Sequence, residues 1–335
     1  MAKVCILGAG SWGIALSVLL HSNKHQISMW EYDHREMVKL LDKREHPQKL
    51  PGIKVPEQVE ITDDLNQAVK GKEVLLLALP SHTVRETAKK LSQVGFGDQI
   101  IVNLAKGIEN DKLCRMSEVL VQELPESSHN KIATLSGPCH AEEVARSIPT
   151  SVVVAGFDEM IARKIQLFFT NQYFRVYTNS DLVGVEIGGS LKNVIAIASG
   201  ICDGLELGDN TKGALLTRGL AEIVRLGEKM GAKARTFAGL SGMGDLITTC
   251  MSRHSRNRWV GEQIGQGKSL KQVLGRMVMV AEGVNTTRSA YQLASKFKVE
   301  MPITEQVYRI LFEIKNPKQA LLDLMSRNPK SEIWS

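Results

Sequence analysis

The chain has 335 residues, 43% hydrophobic and 23% charged, which is enough for two domains with large cores and excludes a disordered or fibrous protein. Its net charge of +6 arises from 42 basic residues scattered among 36 acidic ones, a balance that suits small anionic ligands rather than nucleic acid, which needs a concentrated basic stripe. Five cysteines (5, 114, 139, 202 and 250) form no Cys-x-x-Cys pair, which argues for reduced thiols in the cytoplasm and against zinc, another metal or a disulfide framework. No uninterrupted apolar run approaches the ~20 residues that span a bilayer. The longest, Val194–Cys202, reads as buried helix and not as an integral membrane segment.

The first predicted strand, Val4–Leu7, runs into Gly8-Ala9-Gly10-Ser11-Trp12-Gly13 and then a helical stretch, Ile14–Leu20. This strand–turn–helix setting gives Gly-x-Gly-x-x-Gly its meaning as a dinucleotide site. Gly8 makes the tight turn, Gly10 lets backbone approach a pyrophosphate, and Gly13 lets helix pack on strand. The N–H groups of Ser11 and Trp12 then face the phosphates. A secretory signal is the competing explanation, with Lys3 ahead of an apolar stretch, but the glycines and Ser11 interrupt it and polar residues 21–25 follow.

Further strands are expected at Gln26–Trp30, Val74–Leu79, Ile100–Asn103, Ile132–Ser136 and Ser151–Ala155, with helices such as Val84–Ser92 and Lys112–Glu123 between them. This alternation predicts an α/β fold over 1–180, a Rossmann-like doubly wound sheet with ligand at the carboxyl ends of its strands. From 181 to 335 the pattern is helical, with Leu182–Gly204, Gly213–Met230, Trp259–Gln266 and Ile303–Phe312 and no convincing strand. We therefore expect an all-helical C-terminal domain that binds substrate and carries the catalytic groups.

Lys192 is the foremost catalytic candidate. Its helical neighbours three and four positions away, Gly188, Gly189, Ala196 and Ser199, with Gly200 beyond, are all small. The expectation is an ammonium facing open space, with a pKa lowered by apolar surroundings. A lysine snorkelling from a helix packed tightly on a neighbour fits the same spacing. Lys106 follows the strand Ile100–Asn103, where ligands bind, although an ordinary loop lysine would look alike. Ser255-Arg256-Asn257-Arg258 starts a helix, and N–H donors with a guanidinium make a natural phosphate site, or merely a solvated cap. Asp245 lies in a glycine-rich turn and could orient a lysine or hydroxyl, or only cap the next helix. Cys139 beside His140 suggests a nucleophile, but chain neighbours in a loop seldom pair this way and no third group is evident. Backbone contacts from Gly137 to a small ligand are the better reading.

In this order, Gly8–Gly13, 103–107, 136–138, 188–193, 244–246, 255–258 and 280–283 closely resemble the bacterial-type NAD(P)-dependent sn-glycerol-3-phosphate dehydrogenases, over essentially the whole chain. The resemblance implies reversible reduction of dihydroxyacetone phosphate to sn-glycerol 3-phosphate for glycerophospholipid synthesis. Lys192 matches the proton donor and acceptor, and Lys106 and Asp245 match substrate-orienting positions. Ser255, Arg256 and Asn257 match the phosphate-binding group, Gly137 and Cys139 match substrate contacts, and Cys139 stands where serine or threonine is usual. Ala141, Val280 and Glu282 match cofactor contacts, joined by Ser11, Trp12, Tyr32, Lys106 and Arg256. Glu31 and Asp33, near the expected ribose, favour the 2′-hydroxyl of NAD over the 2′-phosphate of NADP, and Tyr32 offers no charge to the latter. NADH is thus expected to serve at least as well as NADPH. The apolar helical half is compatible with a homodimer. The alternatives are a related hydroxy-acid or sugar-acid dehydrogenase and a non-catalytic NAD(H)-binding redox sensor, which would need neither Lys192 nor Lys106.

Overall fold

Val74–Leu77 and Ile100–Asn103 are buried along their whole length, and Lys3–Leu7 is buried except at its first residue, as strands covered on both faces must be. A computed structural model, describing residues 1–94, 97–329 and 331–332, builds them into one sheet. Its strands are β1 (Lys3–Leu7), β2 (Gln26–Trp30), β3 (Glu60–Thr62), β4 (Val74–Leu77), β5 (Ile100–Asn103), β6 (Ile132–Ser136), β7 (Thr150–Gly156) and β8 (Phe174–Asn179). Their order is β3-β2-β1-β4-β5-β6-β7-β8, parallel at every pairing except β6 with β7. The chain leaves β1 in one direction towards β3 and resumes on the other side at β4, so the switch point lies between the carboxyl ends of β1 and β4. The turn after β1 opens there.

The expected sheet is present, with two strands that the patterning did not reveal. β3 is three residues long, and β8 is an edge strand whose exposed positions Arg175 and Tyr177 interrupt its apolar character. The helix expected from Lys112 starts instead at Met116, because the Glu118 carboxylate accepts from the Arg115 backbone N–H at 2.8 Å there and Leu113 has φ +58°.

The helical half is organised around one helix, Leu182–Gly204, which packs against Asp209–Lys229, Arg256–Gly265 and Glu282–Phe297. It has the length and hydropathy of a membrane span, but 94% of its most apolar window is buried in the fold, so its apolar surface is already covered by protein. It is also fastened to the sheet half. The buried Glu186 carboxylate accepts from Arg115 Nη1 at 2.6 Å and from the Ser117 backbone N–H at 2.8 Å, at the start of the Met116–Glu123 helix. That bond fixes Lys192, less than two turns further on, relative to the sheet.

Candidate active site

The turn after β1 has the form a dinucleotide needs. Gly8 has φ +109°, and a Cβ there would stand 2.6 Å from the Ala78 carbonyl oxygen. A Cβ on Gly13 would stand 1.9 Å from the Gly8 carbonyl oxygen, so both positions are closed to side chains by the protein itself. Gly10 differs: a Cβ there meets no atom within 4 Å, although φ is an ordinary −74°. Its open side adjoins the N-terminus of the Ser11–Ser22 helix, whose first turn carries no acidic residue. The first N–H groups of a helix lack intrahelical partners and attract anions, so a pyrophosphate fits beside Gly10, Ser11 and Trp12.

Beyond β2, Tyr32 is 75% exposed. Glu31 is buried, faces Lys49 Nζ at 3.4 Å and accepts from the Asp33 N–H, while Asp33 caps the His34–Lys43 helix. Both carboxylates assigned to the ribose are therefore already engaged with protein.

Lys106, Lys192 and Asp245 meet. Asp245 Oδ1 accepts from Lys192 Nζ at 2.7 Å, and Asp245 Oδ2 accepts from Lys106 Nζ at 2.7 Å. Lys106 also donates to the Gly137 carbonyl at 2.8 Å and to Cys139 Sγ at 3.4 Å, so three acceptors face its three N–H bonds. Lys192 has two such partners among the described residues, Asp245 and Thr249 Oγ1 at 2.6 Å, which leaves one N–H direction for a ligand. Burial pulls Lys192 below the usual ammonium range and Lys106 adds like-charge repulsion, only partly countered by Asp245. Burial acts the same way on Lys106, but Asp245 and Cys139 together hold it above the ordinary lysine value. Burial likewise resists ionisation of Asp245, yet Lys106 and Lys192 outweigh it and keep the carboxyl below its usual range.

The small residues around Lys192 have a different cause from the one expected. A Cβ on Gly188 would lie 2.6 Å from the Ser241 carbonyl oxygen, and one on Gly200 would lie 1.8 Å from that of Arg258. Backbone packs against the face at Gly188 and Gly200, and the Ser136 side chain packs against it at Gly189. Lys192 is 6% exposed and tied to Asp245 and Thr249, so the expectation of an ammonium in open space is corrected.

Ser255 caps the Arg256–Gly265 helix by accepting from the Arg258 N–H, and Arg256 stands exposed at its first turn within electrostatic reach of Glu282. The Asn257 side chain is engaged at both ends: Nδ2 donates to Asn193 Oδ1 at 2.9 Å and Oδ1 accepts from the Gly283 N–H at 2.9 Å. It joins the helix of Lys192 to the segment carrying Val280 and Glu282, leaving its backbone N–H, rather than its amide, for a phosphate. Asn193 Nδ2 continues the chain to the Lys106 carbonyl at 3.0 Å.

Glu282 accepts from the Ser81 N–H at 2.8 Å, while burial keeps its carboxyl above the usual range. Val280 lies just before it, part-buried, in the stretch leading into the Glu282–Phe297 helix. Ala141 begins the short helix Ala141–Val144, which packs on the Ser11–Ser22 helix. Gly137 has φ +124°, which turns its carbonyl to Lys106. No hydrogen bond joins Cys139 to His140; the thiol donates to the Gly137 carbonyl instead, and burial pushes its pKa up.

Thr249, Asn193 and Ser81 were not singled out from the sequence. Thr249 had a signal, since it lies four residues after Asp245 on one helical face. The partners of Asn193 and Ser81 are distant in the chain, and no local pattern announces them.

Two family models match the chain: "NAD-dependent glycerol-3-phosphate dehydrogenase N-terminus" over residues 3–162 and the corresponding C-terminus over 181–322. A protein of Fusobacterium nucleatum called glycerol-3-phosphate dehydrogenase [NAD(P)+] is 49% identical over 335 residues, covering 100% of both chains. One of the same description from Carboxydothermus hydrogenoformans is 51% identical over 331 residues, covering 99% of this chain and 98% of its own. The crystal structure of glycerol-3-phosphate dehydrogenase from Coxiella burnetii superposes with a TM-score of 0.93 at 36% identity, covering 97% of this chain and 99% of that one. A D-mandelate dehydrogenase has a TM-score of 0.62 at 14% identity, a likeness of fold alone.

Proposed function

Because this chain belongs to the NAD-dependent glycerol-3-phosphate dehydrogenase family and is an NAD(P)-dependent oxidoreductase, we propose that it reduces dihydroxyacetone phosphate to sn-glycerol 3-phosphate reversibly, with Lys192 as its acid and base. The observation that carries the role of Lys192 is the unequal engagement of the two lysines. All three N–H bonds of Lys106 have partners, whereas Lys192 keeps one direction open and has the depressed pKa that proton transfer requires.

The Gly8–Gly13 turn would hold the pyrophosphate of a reduced nicotinamide cofactor, which would supply the hydride to the carbonyl carbon. Lys192 donates an Nζ proton to the ketone oxygen as negative charge develops there, and becomes a neutral amine held by Asp245 and Thr249. In reverse it takes that proton from the hydroxyl. Lys106 stays protonated, steadies Asp245 and orients substrate beside Gly137 and Cys139. Ser255, Arg256 and the backbone of Asn257 hold the phosphate at the helix start. Ala141, Val280, Glu282 and Arg256 line the cofactor side.

On this reading residues 1–180 form the dinucleotide-binding domain and lend Lys106, Gly137 and Cys139 to the substrate, while 181–335 form the substrate-binding and catalytic domain and lend Arg256, Val280 and Glu282 to the cofactor. NADH works at least as well as NADPH on this reading, supported by a neutral, exposed Tyr32 where a 2′-phosphate would seek a cation. Five free cysteines support a cytoplasmic enzyme supplying glycerophospholipid synthesis. The test is nicotinamide absorbance with dihydroxyacetone phosphate and, separately, NADH and NADPH. Oxidation of NADH at a rate comparable to or above that of NADPH is expected. A hundredfold preference for NADPH contradicts the cofactor assignment. Failure with both, in folded protein that binds NADH, contradicts the substrate.

A further inference from the structure

His140 has no part in the chemistry above, yet its part-buried ring adjoins the residues that carry it. The next residue upstream, Cys139, accepts from Lys106 Nζ. On the other side, the His140 ring stands 6.0 Å from that of His254, centroid to centroid, and His254 immediately precedes the Ser255 cap of the proposed phosphate helix. His140 therefore sits between the lysine pair and that helix. Its Nε2 is buried and has no hydrogen-bond partner among the described residues. A buried ring nitrogen left unpaired is costly, so a partner gained when ligand binds would offset that cost.

We propose that His140 is a substrate-binding residue whose Nε2–H donates a hydrogen bond to a phosphate oxygen of the substrate. The proposal rests on the phosphorylated substrate named above. The phosphate end is preferred over the carbonyl end because the ring lies beside that of His254, the residue before Ser255, while the carbonyl oxygen already has its donor in Lys192. Burial, with Lys192 and Lys106 close by, pushes the imidazole down to about 4. At neutral pH it is then an uncharged donor, adding direction to a phosphate whose charge Arg256 and the helix start offset.

Three variants test this: His140→Phe keeps the ring volume without a donor, His140→Gln places an amide N–H at comparable reach, and His140→Asn is too short. Steady-state kinetics with dihydroxyacetone phosphate and NADH should show the substrate KM rising about tenfold or more in His140→Phe and His140→Asn, as loss of a hydrogen bond to a charged group implies. The kcat should change less than twofold, the KM for NADH should hold, and His140→Gln should recover most of the loss. Calorimetric titration of wild type and variants with inorganic phosphate should show weakening by a similar factor. Unchanged KM and phosphate affinity in His140→Asn overturns the proposal, as does a loss confined to kcat with phosphate binding intact. If wild type binds phosphate but does not turn over dihydroxyacetone phosphate, the substrate reading fails, and the phosphate titration still decides the role of His140.

Discussion

A Cβ built on Gly10 meets no atom within 4 Å, whereas one built on Gly200 would stand 1.8 Å from the carbonyl oxygen of Arg258. In sequence the two glycines look alike, since each belongs to a small-residue cluster next to a functional group. In the fold they clear space for different occupants. The turn after β1 leaves room outside the protein, against the positive end of a helix. The Leu182–Gly204 helix leaves room for other backbone, and the crossing is reciprocal, because a Cβ on Gly261 would stand 1.9 Å from the Ile197 carbonyl oxygen. Small residues therefore mark close approach, and only the fold says whether ligand or protein approaches. Lys192 sits on this packed helix, where Gly188 lies against the Ser241 carbonyl and the adjoining Asp245–Met251 helix supplies Asp245 and Thr249, with one N–H direction left over.

Short of removing Lys192 itself, the largest effect is expected where the packed helix meets the chemistry. Asp245→Asn removes the charge that restrains both lysines, and kcat should fall about 10²- to 10³-fold, the scale seen when a fixed electrostatic group is lost from an active site. Asp245 raises the pKa of Lys192, so its loss lowers that pKa further. Reduction needs protonated Lys192 and fades as pH rises through this pKa, so the alkaline limb of the pH–rate profile should move to lower pH. A limb that stays in place would detach Lys192 from Asp245. Next, Gly200→Ala forces two backbones apart and should cost about 3 kcal/mol or more, measured by denaturant titration. Gly10→Ala is the contrasting case. Its Cβ has room and its φ is ordinary, so stability should change by less than about 1 kcal/mol. NADH affinity should nevertheless drop about tenfold, because the methyl group occupies the space of the pyrophosphate. An unstable Gly10→Ala, or a stable Gly200→Ala, would erase the distinction between the two regions.

The parallel sheet and the central helix were legible because continuous apolar strands and long helical patterns are signals carried within short windows. β8 was not, because an edge strand with Arg175 and Tyr177 outward reads as polar. In the site, Lys106, Lys192 and Asp245 could be named from strand ends, small-residue faces and the family resemblance, but their meeting joins residues 139 and 53 positions apart. The side-chain amide of Asn257 shows the limit most clearly. A helix-start asparagine suggests a phosphate ligand, whereas here that amide bridges Asn193 and Gly283, partners that only tertiary structure supplies. Glu31 and Asp33 show it too, since one is buried against Lys49 and the other caps a helix.

The central claim is that Lys192, and not Lys106, moves the proton. The direct measurement is Lys192→Ala, with turnover of dihydroxyacetone phosphate and NADH affinity by nicotinamide fluorescence read on the same preparation. Turnover should fall by at least about 10³-fold, consistent with loss of a positioned general acid, while the NADH Kd stays within about twofold. Turnover within about tenfold of wild type, in folded protein that binds NADH normally, would contradict the assignment.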